Sequence, residues 1–190
     1  MTVQMRWVCT VLLALLPTVT TAQSGAASPP GLATDISAAE IQAVLRLPTG
    51  GGDRQLKVVD LGKYNVGVGI LHRGPTKTGA PVSAINHEQV TEVYYIVSGT
   101  ATLVTGGTVT GVKPLPSDGE LVKVAVGPSN SGTFVQPAQS RNVGSGDVVI
   151  IPAGVYHGFS EVPDHIDYLS VRPDAEHVLP AGYVHPLLKK

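Results

Sequence analysis

Gly146-Asp147-Val148-Val149-Ile150-Ile151-Pro152-Ala153-Gly154-Val155-Tyr156-His157 carries the strongest structural signal in the chain. Four consecutive β-branched residues, Val148 to Ile151, predict a buried strand, because stiff branched side chains suit a pleated surface. Pro152 cannot donate to a sheet ladder and Gly154 tolerates a positive φ, so the strand closes in a tight turn. His157 then falls where the next strand begins, at a position rigid enough for a metal ligand.

A second stretch upstream, Ile85-Asn86-His87-Glu88-Gln89-Val90-Thr91-Glu92-Val93-Tyr94-Tyr95-Ile96-Val97-Ser98-Gly99, supplies the partners. Side chains alternate faces along a strand, so Glu92, Tyr94 and Ile96 share one face while Val93, Tyr95 and Val97 share the other. With a hairpin turn at Gln89 to Thr91, His87 and Glu92 converge from adjacent strands. Adding His157 gives two imidazoles and one carboxylate, a donor set that suits a divalent iron, manganese, zinc or nickel ion.

The two stretches resemble the paired motifs of the cupin superfamily, small β-barrels that hold a metal between strands. Gly146, Pro152, Gly154 and His157 meet the second motif in full, with Glu161 where an asparagine is common. Glu92 and Gly99 meet the first motif, and His87 stands at its second histidine. Ile85 occupies the place of its first histidine. A register with the shorter gap puts Asn86 and Glu88 at those positions instead; the His87 register keeps the imidazole on the expected face. The resemblance implies an all-β, cupin-type jelly-roll β-barrel with the metal held by His87, Glu92 and His157, and pairing into a homodimer through the sheets.

The rest of the 190-residue chain is read around that barrel. Arg6, the apolar run Trp7 to Leu16 and the small residues Thr20-Thr21-Ala22 form a secretory signal peptide over residues 1–22, with an apolar core too short to span a bilayer. The expected location is therefore periplasmic or secreted, with no membrane attachment after cleavage. Cys9, the single cysteine, lies within that segment, which leaves neither disulfides nor thiolate chemistry to the mature chain. A formal net charge of -1, with no lysine-arginine cluster, argues against a nucleic-acid partner.

An arm and a short helix are expected over residues 23–54, the barrel over 55–173 and a tail over 174–190. Ser37-Ala38-Ala39-Glu40 reads as a capping box that starts the helix, with Ile36 and Ile41 as a hydrophobic staple. Pro48 ends the helix, which is expected to lie across the outside of the barrel. Strands are expected at Leu56–Leu61, Tyr64–Leu71, Val82–His87, Glu92–Val97, Ala101–Thr105, Val148–Ile151, Tyr156–Ser160 and His165–Val171, stopped by Arg172-Pro173-Asp174. With 22 glycines and 15 prolines, the chain has the turn content of many short strands. Gly111–Gly144 reads as a long connection with one strand at Leu121–Val126, forming a hairpin and a lid.

Two residues have open roles. His72, at a strand end, is a replacement imidazole or a solvated residue; Tyr94, on the face of Glu92, is a catalytic hydroxyl or a core tyrosine. Phe159 shares the face of His157 and lines an apolar pocket wall, while Tyr156 is out of phase. Together the residues imply an exported cupin acting on a small polar molecule by metal-dependent chemistry of the oxygenase, lyase or isomerase type. The alternative is a non-catalytic binding cupin with a degenerate site, which Ile85 favours.

Overall fold

The computed structural model describes residues 32–48, 52–77 and 79–189, so the expected signal peptide and most of the arm lie outside the described residues. Eight strands follow one helix: α1 (Ala38–Leu45), β1 (Asp53–Asp60), β2 (Asn65–Arg73), β3 (Ser83–His87), β4 (Glu92–Pro114), β5 (Ser129–Gly144), β6 (Val148–Ile151), β7 (His157–Glu161) and β8 (Ile166–Asp174). Every strand pairing is antiparallel. The all-β jelly-roll barrel with a short N-terminal helix is the architecture observed.

One sheet runs β1-β2-β8-β4-β6, and the other joins β4, β5, β3 and β7. The 23-residue β4 belongs to both, passing from one sheet to the other near Gly99. That glycine has φ 76°, and a Cβ there would collide with the His165 backbone, so no other residue fits the crossing. The core lies between the sheets: Leu71, Tyr94, Ile96, Leu103, Val143, Ile151, Ile166 and Tyr168 form one buried cluster drawn from five strands.

The capping box is formed as expected, with Glu40 N–H donating to Ser37 Oγ and Ser37 N–H to Glu40 Oε2. The helix packs its apolar face, Ile41, Val44 and Leu45, on Leu56 and Ile70, across the outside of the β1–β2 side of the barrel. The Arg54 guanidinium then takes the carbonyls of Val44, Leu45, Leu47 and Pro48, satisfying the free C=O groups at the helix end.

Four local expectations are corrected. Glu92–Val97 and Ala101–Thr105 are parts of a single strand, because the positive φ of Gly99 bends the chain without breaking the ladder. Gly111–Gly144 is largely sheet: β4 and β5 run together as a long ribbon whose side chains are mostly exposed or half-buried. Only Phe134 and Val143 of β5 are buried apolar residues, so no apolar alternation marks that strand. Val122–Val126 is a π-helical turn, closed by Gly127 N–H on the Val122 carbonyl at 3.0 Å. Its cavity-facing residues Leu121, Val124 and Ala125 follow helical, not strand, spacing. Finally, β8 does not stop at Arg172 but continues through it to Asp174, which pairs with Asn65.

The hairpin expected at Gln89 to Thr91 is also absent. β3 pairs with β5 and β7, while the start of β4 pairs with β6 and β8 in the opposite sheet. His87 and Glu92 therefore approach each other from facing sheets, across the barrel interior.

Candidate metal centre

The Pro-x-Gly turn and the end of β3 are bonded directly. Gly154, at φ 81°, donates its N–H to the His87 carbonyl at 2.7 Å, and Asn86 Nδ2 donates to the Gly154 carbonyl at 3.2 Å. Two segments 70 residues apart in the chain thus hold their histidines in one place. Glu92 enters from the facing sheet, and His87, Glu92 and His157 form a buried group whose candidate ligand atoms all lie within 4.8 Å of one another. Among the described residues it is the one such cluster of three.

Hydrogen bonds fix the tautomer of each ring. Ser129 Oγ donates to the Gly127 carbonyl at 2.9 Å and must accept from His87 Nδ1, also 2.9 Å away. His157 Nδ1 donates to the Val155 carbonyl at 3.0 Å. With the proton on Nδ1 in both neutral rings, both Nε2 atoms carry lone pairs. Each faces Glu92 Oε2, at 3.2 Å from His87 and 3.1 Å from His157.

Three acceptors pointed at one another in a buried site are costly unless a cation or protons lie between them. Nε2 of His157 is indeed a buried nitrogen without a hydrogen-bond partner. Ligand atoms about 2.1 Å from a metal ion are separated by roughly 3.0 to 3.4 Å in octahedral or tetrahedral geometry, and the observed spacings match. The residues fit a metal ion, and the Nδ1 partners are the orienting contacts that metal-binding imidazoles require.

Glu92 is 1% exposed and held on every side. Tyr94 donates its hydroxyl to Oε2 at 2.8 Å; Ser170 Oγ and Arg172 Nε donate to Oε1 at 2.7 and 3.0 Å. Burial by itself would push this carboxyl up, but His157 and His87, whenever Nε2 is protonated, and the Arg172 guanidinium outweigh it and hold Glu92 well below the ordinary carboxylate range. Burial, and then the adjacent Glu92 charge, push the Tyr94 hydroxyl well above its usual value, so it remains a donor.

Arg172 was not legible as part of the site, being read as a strand terminator. It is fully buried, gives Nη1 to Gln55 Oε1 at 2.7 Å and pairs Nη2 with Asp53, tying β8 to β1 and to Glu92. Two signals pointed to it. Ile166, Tyr168, Ser170, Arg172 and Asp174 recur at the strand period on the buried face. Opposite them, Gly67 and Gly69 remove side chains from β2, and a Cβ on Gly69 would crowd Arg172 Nη1 at 2.8 Å.

The remaining sequence candidates separate cleanly. Ile85 and Phe159 line a cavity of about 1070 Å³ that opens onto His87, Glu92 and His157, as does Tyr94. Tyr156 packs elsewhere, against Ala84, Val104 and Phe134, and Glu88 is exposed and bonded to Asn130. His72 does not replace the missing imidazole: it lies on the outer face, bonded to Asp167 at 2.6 Å.

No protein-family model matches the sequence, and no curated protein does. Solved structures do. The chain is similar to a Bacillus halodurans protein at 14% identity, covering 82% of this chain and 90% of that one, with a TM-score of 0.48. It is similar to a Klebsiella pneumoniae protein with a double-stranded β-helix domain at 16% identity, covering 76% and 93%, with a TM-score of 0.44. It is also similar to a cupin protein from Bacteroides fragilis at 21% identity, covering 63% and 72%, with a TM-score of 0.34. The likeness to these structures is one of fold.

Proposed function

We propose that this protein is an exported, divalent-metal-dependent enzyme acting on a small polar molecule, of the oxygenase, lyase or isomerase type. The observation that carries the reading is the pair of Nδ1-protonated histidines whose Nε2 lone pairs face the Glu92 carboxylate. His87 and His157 are the nitrogen ligands, and Glu92 binds through Oε2, since its Oε1 is occupied by Ser170 and Arg172. A divalent ion held there supplies Lewis acidity to a substrate oxygen or water.

The chain's own residues do the rest. Ser129 and the Val155 carbonyl keep both imidazoles aimed, and Arg172 holds Glu92 ionised and immobile. Tyr94 keeps its proton and donates it in the hydrogen bond that holds Glu92 Oε2 at the edge of the cavity. Phe159 and Leu71 give that cavity apolar walls that exclude water.

Elemental analysis of untagged mature protein from an export-competent host tests this. Near-stoichiometric metal, lost in His157→Ala and Glu92→Ala, is expected. Folded wild type that stays empty after reconstitution with iron, manganese, zinc and nickel refutes it. Ile85, an apolar side chain in the cavity at a ligand position, favours the second reading, a non-catalytic barrel for a small ligand. Export rests on the sequence over residues 1–22 and is checked by the N-terminal sequence of secreted protein. A homodimer is supported by Tyr95, Val148 and Ile150, exposed apolar residues on neighbouring strands β4 and β6; light scattering decides it.

A further inference from the structure

Arg73 ends β2 on the inward face, in phase with Gly67, Gly69 and Leu71, and lines the same cavity as His87, Glu92 and His157. Its guanidinium passes where a side chain on Gly52 would stand: a Cβ there would overlap Arg73 Nη1. The missing side chain at residue 52 is what admits this charge to the cavity.

The other two arginines of the cavity end are already committed. Arg54 is used up on four carbonyls at the end of α1. Arg172 is divided among Glu92, Gln55 and Asp53. Arg73 has no ion-pair partner among the described residues. The Tyr168 hydroxyl and, more weakly, the Asp53 charge lie near enough to keep its guanidinium above its ordinary range. Asp53 is already paired with Arg172, so the Arg73 guanidinium has no carboxylate of its own, and its planar fork of donors matches one.

We propose that the cavity binds a small organic carboxylate with an apolar body: Arg73 pairs with its carboxylate, and the body lies against Phe159 and Leu71, facing the His87–Glu92–His157 group. A single uncommitted cation suits a monoanion better than a phosphate dianion. What the far end of the ligand meets rests on the metal reading above; capture of the carboxylate rests on Arg73 alone.

Calorimetric titrations with benzoate, benzamide and phenyl phosphate test this, on full-length mature protein both metal-free and loaded with zinc. Benzoate is expected to bind the wild type at least tenfold more tightly than benzamide or phenyl phosphate. Arg73→Gln should weaken benzoate at least tenfold and leave benzamide unchanged, with Arg73→Lys recovering part of the loss and circular dichroism confirming the fold. Benzoate indifferent to Arg73→Gln, equal loss for acid and amide, or no benzoate binding by the wild type overturns the proposal; tighter phenyl phosphate overturns the carboxylate assignment. Zinc uptake on the same samples separates the two readings. Arg73-dependent benzoate binding by protein that takes up no zinc sinks the metal reading alone, and zinc uptake with Arg73-independent benzoate sinks this one alone.

Discussion

Two clusters in this molecule have almost the same composition and opposite character. Inside the barrel stand His87, His157 and Glu92; on its outer face stand His72, His165, Asp164 and Asp167. In the outer cluster His72 bonds Asp167 at 2.6 Å, His165 bonds Asp164 at 2.7 Å, and Ser98 Oγ bridges Asp167 and His165. Every imidazole there points a nitrogen at its own carboxylate, and the side chains of His72, His165 and Asp164 are 37%, 36% and 90% exposed. Solvent satisfies whatever the protein does not. In the inner cluster the Nδ1 atoms are spent on a hydroxyl and a carbonyl, so both Nε2 atoms are turned on one shared oxygen among buried side chains. Two histidines and acids do not make a site; burial and a fixed tautomer do.

The comparison breaks most sharply at Arg172. Arg172→Ala strands Glu92 and Asp53 as buried charges and should cost about 3 to 5 kcal/mol in urea unfolding. A loss under about 1 kcal/mol would mean that water enters the barrel, and the contrast between the clusters would fall. Metal sharpens it next. Zinc at a hundredfold excess over its dissociation constant should stabilise the wild type by about 2.7 kcal/mol in thermal melts. That gain should vanish in His157→Ala and persist in His165→Ala; the reverse pattern would move the metal to the outer face. His72→Ala removes a part-buried pair on the outer face and should change stability by about 1 kcal/mol or less, without altering metal content.

The smallest effect concerns acid. Glu40 is lowered from 4.5 to about 2, first by the Ser37 backbone N–H and then by Lys57. A folded-state value below the unfolded one gives a contribution that is whole above pH 4.5 and lost as the pH falls towards 2. The stability difference between wild type and Glu40→Gln should therefore shrink across that window. Glu92 also lies below its ordinary value, so its contribution must survive to lower pH than an unperturbed carboxylate allows. An acid titration that shows the Glu92 contribution lost near pH 4.5, the ordinary carboxylate value, would place Glu92 in contact with solvent, like Asp164.

The residue pattern carried the barrel and the three polar residues at its centre because both depend on local rules. Val148–Ile151, Pro152 and Gly154 dictate a strand and a turn wherever they occur, and the period of two puts Glu92 and Tyr94 on one face. The capping box over Ser37–Glu40 is a contact between residues three apart and was equally legible. β5 was not legible, because a ribbon that buries only Phe134 and Val143 among its apolar residues shows no alternation. The π-helical turn was not either, since Val122–Val126 is a run of mostly β-branched residues, which favours a strand reading.

By itself, then, the sequence determined the strand-rich architecture, the helix start and the identity of the His87, Glu92 and His157 group. Only the tertiary structure decided that His87 and Glu92 meet from opposite sheets, that Arg172 and Ser170 hold the carboxylate, that His72 faces outward, and that Arg73 enters the cavity past Gly52. The physical reason is range. Strand phase and turn chemistry act within a few residues, whereas the partner of a buried charge is chosen by which distant strands the barrel brings side by side, and for Arg172 that partner lies 80 residues away.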